Sequence, residues 1–145
     1  MYYGEIRESD EAFFFLTHQP PDEFSFLWAI EPGRSMPYEH EHVFQSETFE
    51  VLHGTLTLTT RKGTQHLQAG QSACIAPRTF HVPHNDSPTK ALVCRVTLRP
   101  AFRAATTIRR LCALSAARRL KADGRLRWID KARLWMAAPE NFTFS

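Results

Sequence analysis

The stretch from Gly33 to Gly54, GRSMPYEHEHVFQSETFEVLHG, restricts the folds open to this chain more than any other. It sets His40 and His42 two residues apart, places Glu47 five residues on, and closes a hydrophobic run with a glycine. Side chains of an extended strand repeat every two residues, so a His-x-His pair presents both imidazoles on one side. The spacer before Glu47 lets the chain cross to a neighbouring strand and point a carboxylate back. His81 follows in a second segment punctuated by glycine and proline, GQSACIAPRTFHVPHN, Gly70 to Asn85. Three imidazoles and one carboxylate form a donor set for a single divalent metal ion. Any one of these histidines alone would read as a polar residue on a strand rim. The metal reading rests on the four together.

The remainder of the first hundred residues reads as short strands separated by turn residues. Glu11 to Thr17 is a short apolar run suited to a buried strand. The QPPD turn follows, and Phe24, Phe26, Trp28 and Ile30 then alternate along one face. Glu47–Leu52 and Thr55–Arg61 read as a hairpin hinged at His53-Gly54. Thr64–Gln68, Ser72–Ala76 and Thr89–Leu98 are further strands. Met1–Ser9 reads as polar and peripheral. Strands this short and this regularly spaced imply a sandwich or barrel. After Pro100 the period changes. Ala101–Ala122 lacks Gly and Pro and reads as a helix, ended by Asp123-Gly124. Leu126–Ala138 reads as a second helix, stopped by Pro139. Two basic amphipathic helices are expected to cover one end or edge of the barrel.

These two segments resemble the paired motifs of the cupin superfamily. Gly33, His40-x-His42, Glu47 and Gly54 match the first motif, and Gly70, Pro77, His81 and Asn85 the second. The similarity covers about residues 12–100 and is to small single-domain conserved-barrel cupins with a helical C-terminal extension. Ser35 and Thr79 stand where glycine is common, Val43 where proline often follows the second histidine, and His53 where glutamate is commoner. None of these removes a ligand. The resemblance implies a mainly β jelly-roll barrel over about residues 11–100 with two C-terminal α-helices over about 101–138, all in one domain. It implies one divalent transition metal (Fe, Mn, Ni, Zn or Cu) held by His40, His42, Glu47 and His81. It further implies oxygenase, isomerase or decarboxylase chemistry on a small organic molecule, dioxygenase-like chemistry being the first expectation. The alternative is a non-catalytic sensor or ligand-binding barrel. A homodimer is expected on the same ground.

A pocket beside the metal would take its walls from residues sharing a face with the ligands: Phe49 and Val51 beyond Glu47, with Trp28 and Phe26 on a neighbouring strand. For each of these, plain core is the competing reading. Gln45, between His42 and Glu47, is placed to touch a metal-bound ligand. Glu39 and Glu41 should point away from the histidines on a regular strand. His84 reads as solvent-facing, His53 as a turn residue, His66 as part of a polar edge strand, and His18 as the lead into a proline turn. Cys74 and Cys94 read as core thiols.

Composition removes other classes. At 145 residues one domain is expected, burying roughly 68–70% of its unfolded surface. No run of about 18 apolar residues exists, so no membrane span is expected. Three widely spaced cysteines do not make a disulfide framework, and a cytoplasmic setting is the expectation. Neither a phosphate-binding nor a dinucleotide glycine motif occurs, nor G-x-S-x-G. Residues 1–98 carry 7 Lys+Arg against 12 Asp+Glu, or −5, and residues 99–145 carry 11 against 3, or +8. The basic half reads as the solvated side of helices packed on an acidic body, so a nucleic-acid partner is not expected.

Overall fold

In the computed structural model, the backbone is described for residues 2–8, 11–16, 20–34, 39–116 and 143–144, and side chains for 20–34 and 39–110. The elements in order are β1 (Tyr2–Glu8), β2 (Glu11–Leu16), β3 (Phe24–Ile30), β4 (His40–Glu41), β5 (Ser46–His53) and β6 (Thr55–Thr60). Then come β7 (Gly63–Gln68), β8 (Ser72–Ile75), β9 (His81–His84), β10 (Leu92–Arg99), α1 (Ala104–Ala116) and β11 (Thr143–Phe144). A six-stranded sheet runs β1-β2-β3-β10-β5-β8, and a five-stranded sheet runs β11-β4-β9-β6-β7. Mainly β, two-sheet architecture agrees with the jelly-roll expectation.

The core lies between the two sheets. Register aligns Phe26, Val96 and Phe49 across β3, β10 and β5, and Trp28, Cys94 and Val51 in the next row. All six are buried, and Leu56 and Leu58 of β6 join them from the other sheet. Alternation along β10 follows from its sequence: Leu92, Cys94, Val96 and Leu98 are inside, while Arg95 and Arg99 face water. Burying apolar side chains of this size stabilises by roughly 1.5–3 kcal/mol each.

Several expectations change. The hairpin at His53-Gly54 does not form: β5 pairs with β10 and β8, β6 with β7 and β9. The chain turns a corner there and passes from one sheet to the other. Gly54 makes the corner possible, because its φ is +81° and a Cβ would lie 2.5 Å from the Ala91 carbonyl oxygen. The true hairpin is β6–β7, turning at Arg61-Lys62. Tyr2–Glu8, read as peripheral, forms the edge strand β1 on β2. Among the described residues α1 is the one helix; it begins at Ala104, inside the expected 101–122, and residues 117–122 lie outside the described residues. The second expected helix, 126–138, lies outside the described residues, as does His18. The exposed Arg103, Arg109 and Arg110 place α1's basic side toward water. Cys94 is a core thiol, its pKa pushed up to about 12 by burial. Cys74 is not: it lies exposed on edge strand β8, on the face opposite buried Ile75.

Candidate metal centre

Both sheets contribute to one cluster. His40 lies on β4 and His42 one residue beyond it, His81 opens β9, and Glu47 projects from β5 in the facing sheet. Strand alternation explains each placement. His40 and His42 share a face across one intervening residue, and Glu47 begins the inward row continued by Phe49 and Val51. Glu47 therefore reaches across the barrel from the opposing sheet, not from a strand next to β4. Register sets His40 directly opposite His81 and His81 opposite Thr60. Pro77 and Arg78 turn the chain before β9, and the Arg78 amide donates to the His42 carbonyl at 2.8 Å.

All four side chains are buried, and one ligand atom from each lies within 4.8 Å of all the others. Imidazole centroids are 4.4 Å apart for His40–His81, 5.2 Å for His40–His42 and 5.8 Å for His42–His81. Glu47 Oε2 lies 3.1 Å from His42 Nε2 and 2.7 Å from His81 Nε2. Donors bonded at about 2.0–2.2 Å to a shared ion and set at right angles are about 3 Å apart. The spacing therefore matches donors converging on one point. His81 Nδ1 donates to the Thr79 carbonyl at 2.8 Å, which fixes the ring and aims Nε2 inward. Neutral imidazole with its far nitrogen anchored to a carbonyl is the form that binds a transition metal. The residues present thus fit a mononuclear divalent ion, with one net positive charge left after the carboxylate.

Electrostatics couple the cluster. Burial opposes the charged form of Glu47, but the attraction of His42 and the ring bonds of His42 and His81 outweigh it and hold the carboxyl well below the usual range. Burial likewise opposes charge on His81, and its bond to Glu47 outweighs that, raising its pKa above 6.5. Without an ion, His81 Nε2 is placed to donate to Glu47 Oε2 at 2.7 Å.

The neighbours sort clearly. Phe49's ring centroid is 6.2 Å from that of His81, edge-on, and Trp28 stands 6.3 Å behind Phe49. Phe26 and Val51 are buried in the core: Val51 is one row further along β5, while β3, which carries Phe26 and Trp28, is not next to β5 as expected but is separated from it by β10. Gln45 is fully buried, and its Nε2 donates to the carbonyls of Pro100 at 2.6 Å and Ala101 at 3.3 Å. Its donor group therefore ties the ligand loop to the β10–α1 junction. Glu39 faces outward and pairs with Arg61. His84 lies on the outer face, bonded to Thr59 and Asp86, and His66 is exposed on edge strand β7, in line with their sequence readings, whereas His53 is exposed but ends strand β5 opposite Val93 and is not the hairpin-turn residue expected.

Two contributors escaped the sequence reading. The Thr79 carbonyl orients His81 through a backbone atom that no residue type announces. Asn85, noted only as a motif end, donates from Nδ2 to the carbonyls of Ile30, Glu31 and Lys90 at 3.3, 3.2 and 2.8 Å. It thereby joins the end of β3 to the loop after β9. A buried amide in a turn-rich NDSP segment was the available signal.

A family model described as the cupin domain matches residues 26–96. Solved structures share the fold. One is a protein with a double-stranded β-helix domain from Klebsiella pneumoniae, at 21% identity over 68% of this chain and 79% of that one, TM-score 0.54. Another is a sugar phosphate isomerase of the cupin superfamily from Silicibacter pomeroyi, at 22% identity over 63% and 61%, TM-score 0.54. A third is the nucleoside dehydratase Pac13, a Streptomyces protein, at 15% identity over 72% and 85%, TM-score 0.58. No curated protein sequence matches the chain.

Proposed function

We propose, for a chain that belongs to the cupin superfamily through the barrel of residues 26–96, that His40, His42, Glu47 and His81 hold one divalent transition metal used in oxygenase-like chemistry on a small organic molecule. The observation that carries this reading is the convergence of four buried donor atoms, from both sheets, within 4.8 Å of one another. Such a cluster is costly to bury without a partner of opposite charge to the carboxylate or a shared cation.

A bound metal of this kind supplies Lewis acidity and, for iron, manganese, nickel or copper, access to dioxygen chemistry at positions the protein leaves open. The chain's own residues do the rest. Thr79 holds the His81 ring by its Nδ1 proton. Glu47 keeps its negative charge in a buried setting. In this reading Phe49, edge-on to His81 with Trp28 behind it, would be the apolar wall nearest the ligands, and the core residues Phe26 and Val51 would continue it. Apolar walls with few polar anchors suit a small organic ligand. A homodimer belongs to the same reading, with the exposed Phe44, Leu52 and Phe102 as apolar side chains available to a contact.

Reconstituted protein should consume oxygen with a diketone, catechol or phenol from a small panel, and Glu47→Gln should lower that rate at least tenfold, in the range of lost metal-site partners. Turnover of a panel member without oxygen uptake would replace the oxygenase reading with a metal-dependent isomerase. Metal uptake with no turnover of any kind would leave a ligand-binding barrel.

A further inference from the structure

Among the described residues, two ligand-bearing strands of the centre share little backbone pairing. β4 is two residues long and meets β9 at one register pair, His40 opposite His81, and one further backbone bond, from the Arg78 amide to the His42 carbonyl, joins the segments beside them. So short a ladder does little to fix register or separation, yet the relative position of these strands sets the spacing of His40, His42 and His81.

A second set of contacts spans the same strands from outside. Glu39 precedes His40, Phe80 precedes His81, and Arg61 follows Thr60, the residue paired with His81. Alternation turns these three away from the ligands beside them. The Arg61 guanidinium donates from Nε at 3.1 Å and from Nη2 at 2.6 Å to Glu39 Oε1. Its carbon also lies 3.9 Å over the centroid of the Phe80 ring. One side chain from the β6–β7 turn thus grips the lead-in to β4 and the lead-in to β9 together.

We propose that Arg61 is a positioning residue for the metal centre, a rivet on the outer face that holds the His40 and His81 strands at the spacing the ion requires. The inference rests on the metal reading given above. Arginine suits the task because its planar fork meets a carboxylate with two donors while its flat face stacks on a ring. Lysine would keep the charge and lose both geometries. Arg61 is 60% exposed in its side chain, so replacing it leaves the core intact. Its effect belongs to ligand spacing more than to global stability.

The test is cobalt(II) titration of the wild type, Arg61→Ala and Arg61→Lys, read by visible absorption and by competition with a chelator, beside the melting temperature of the metal-free proteins. Arg61→Ala should bind cobalt about three- to tenfold more weakly, with shifted absorption bands and an unchanged metal-free melting temperature. Arg61→Lys should fall between. Equal affinity and equal spectra for all three would overturn the rivet and leave the metal centre standing. Weaker binding with an unchanged spectrum and a matching fall in melting temperature would assign Arg61 a general structural role. A wild type that takes up no cobalt would remove the metal reading and this one with it.

Discussion

Glu47 accepts on a single oxygen from two imidazoles, and that oxygen is where residue chemistry and proposed function meet. In metal-free protein the arrangement depends on a proton at His81. The folded pKa of His81 is raised above its ordinary 6.5. Its stabilising contribution is therefore complete below about pH 6.5 and is lost as pH rises through the folded value. Glu47 works in the other direction. With its pKa lowered below 4.5, its contribution is intact above that value and is lost only in stronger acid. A bound ion would replace the His81 proton, so metal uptake should release it and strengthen with pH. The gap in melting temperature between metal-loaded and chelator-treated protein should accordingly widen from about pH 6 to about pH 8. A gap that stays constant or narrows would contradict the coupling of His81 to the site.

Strands show where local sequence suffices and where it does not. The four candidate ligands were legible because His-x-His, a carboxylate and a later histidine are chemistry written in residue type and spacing. The outward direction of Glu39 and the inward row of Glu47, Phe49 and Val51 were legible for the same reason, since alternation is a local rule. The corner at Gly54 was not. A glycine between two β-forming runs signals a hairpin, but its neighbours pair with strands far along the chain, and only those pairings separate a hairpin from a change of sheet. Two-residue strands leave no pattern at all. Phe144 lies opposite His40 on β4, though nothing in the tail sequence marks it as a strand. The Arg61 contacts were equally hidden, because Glu39 and Phe80 are distant in sequence from each other. At the corner the expectation is sharp. Gly54→Ala would place a Cβ 2.5 Å from the Ala91 oxygen at a φ of +81°. It should cost about 2–4 kcal/mol of stability, measured by denaturant unfolding. A loss below roughly 0.5 kcal/mol, the usual surface value, would show that the corner relaxes freely.

As a whole, the molecule is two sheets closed over an apolar interior, with a polar cluster built where they face each other. The six-stranded sheet supplies Glu47 and most of the aromatic core, and the five-stranded sheet supplies the imidazoles. The cluster exists only when the sheets are packed, so metal binding and folding should stabilise each other. Among the described residues no helix is long and apolar enough to cross a membrane. Whether the four donors hold a metal is decided by elemental analysis of untagged protein, wild type beside a His40→Ala/His81→Ala double variant, each purified and then reconstituted with manganese, iron, nickel, copper or zinc. The wild type should carry about one equivalent of a divalent transition metal per chain, lost in a variant that keeps only two of four donors. No metal in the reconstituted wild type, or the same content in the double variant, would contradict a four-donor metal site.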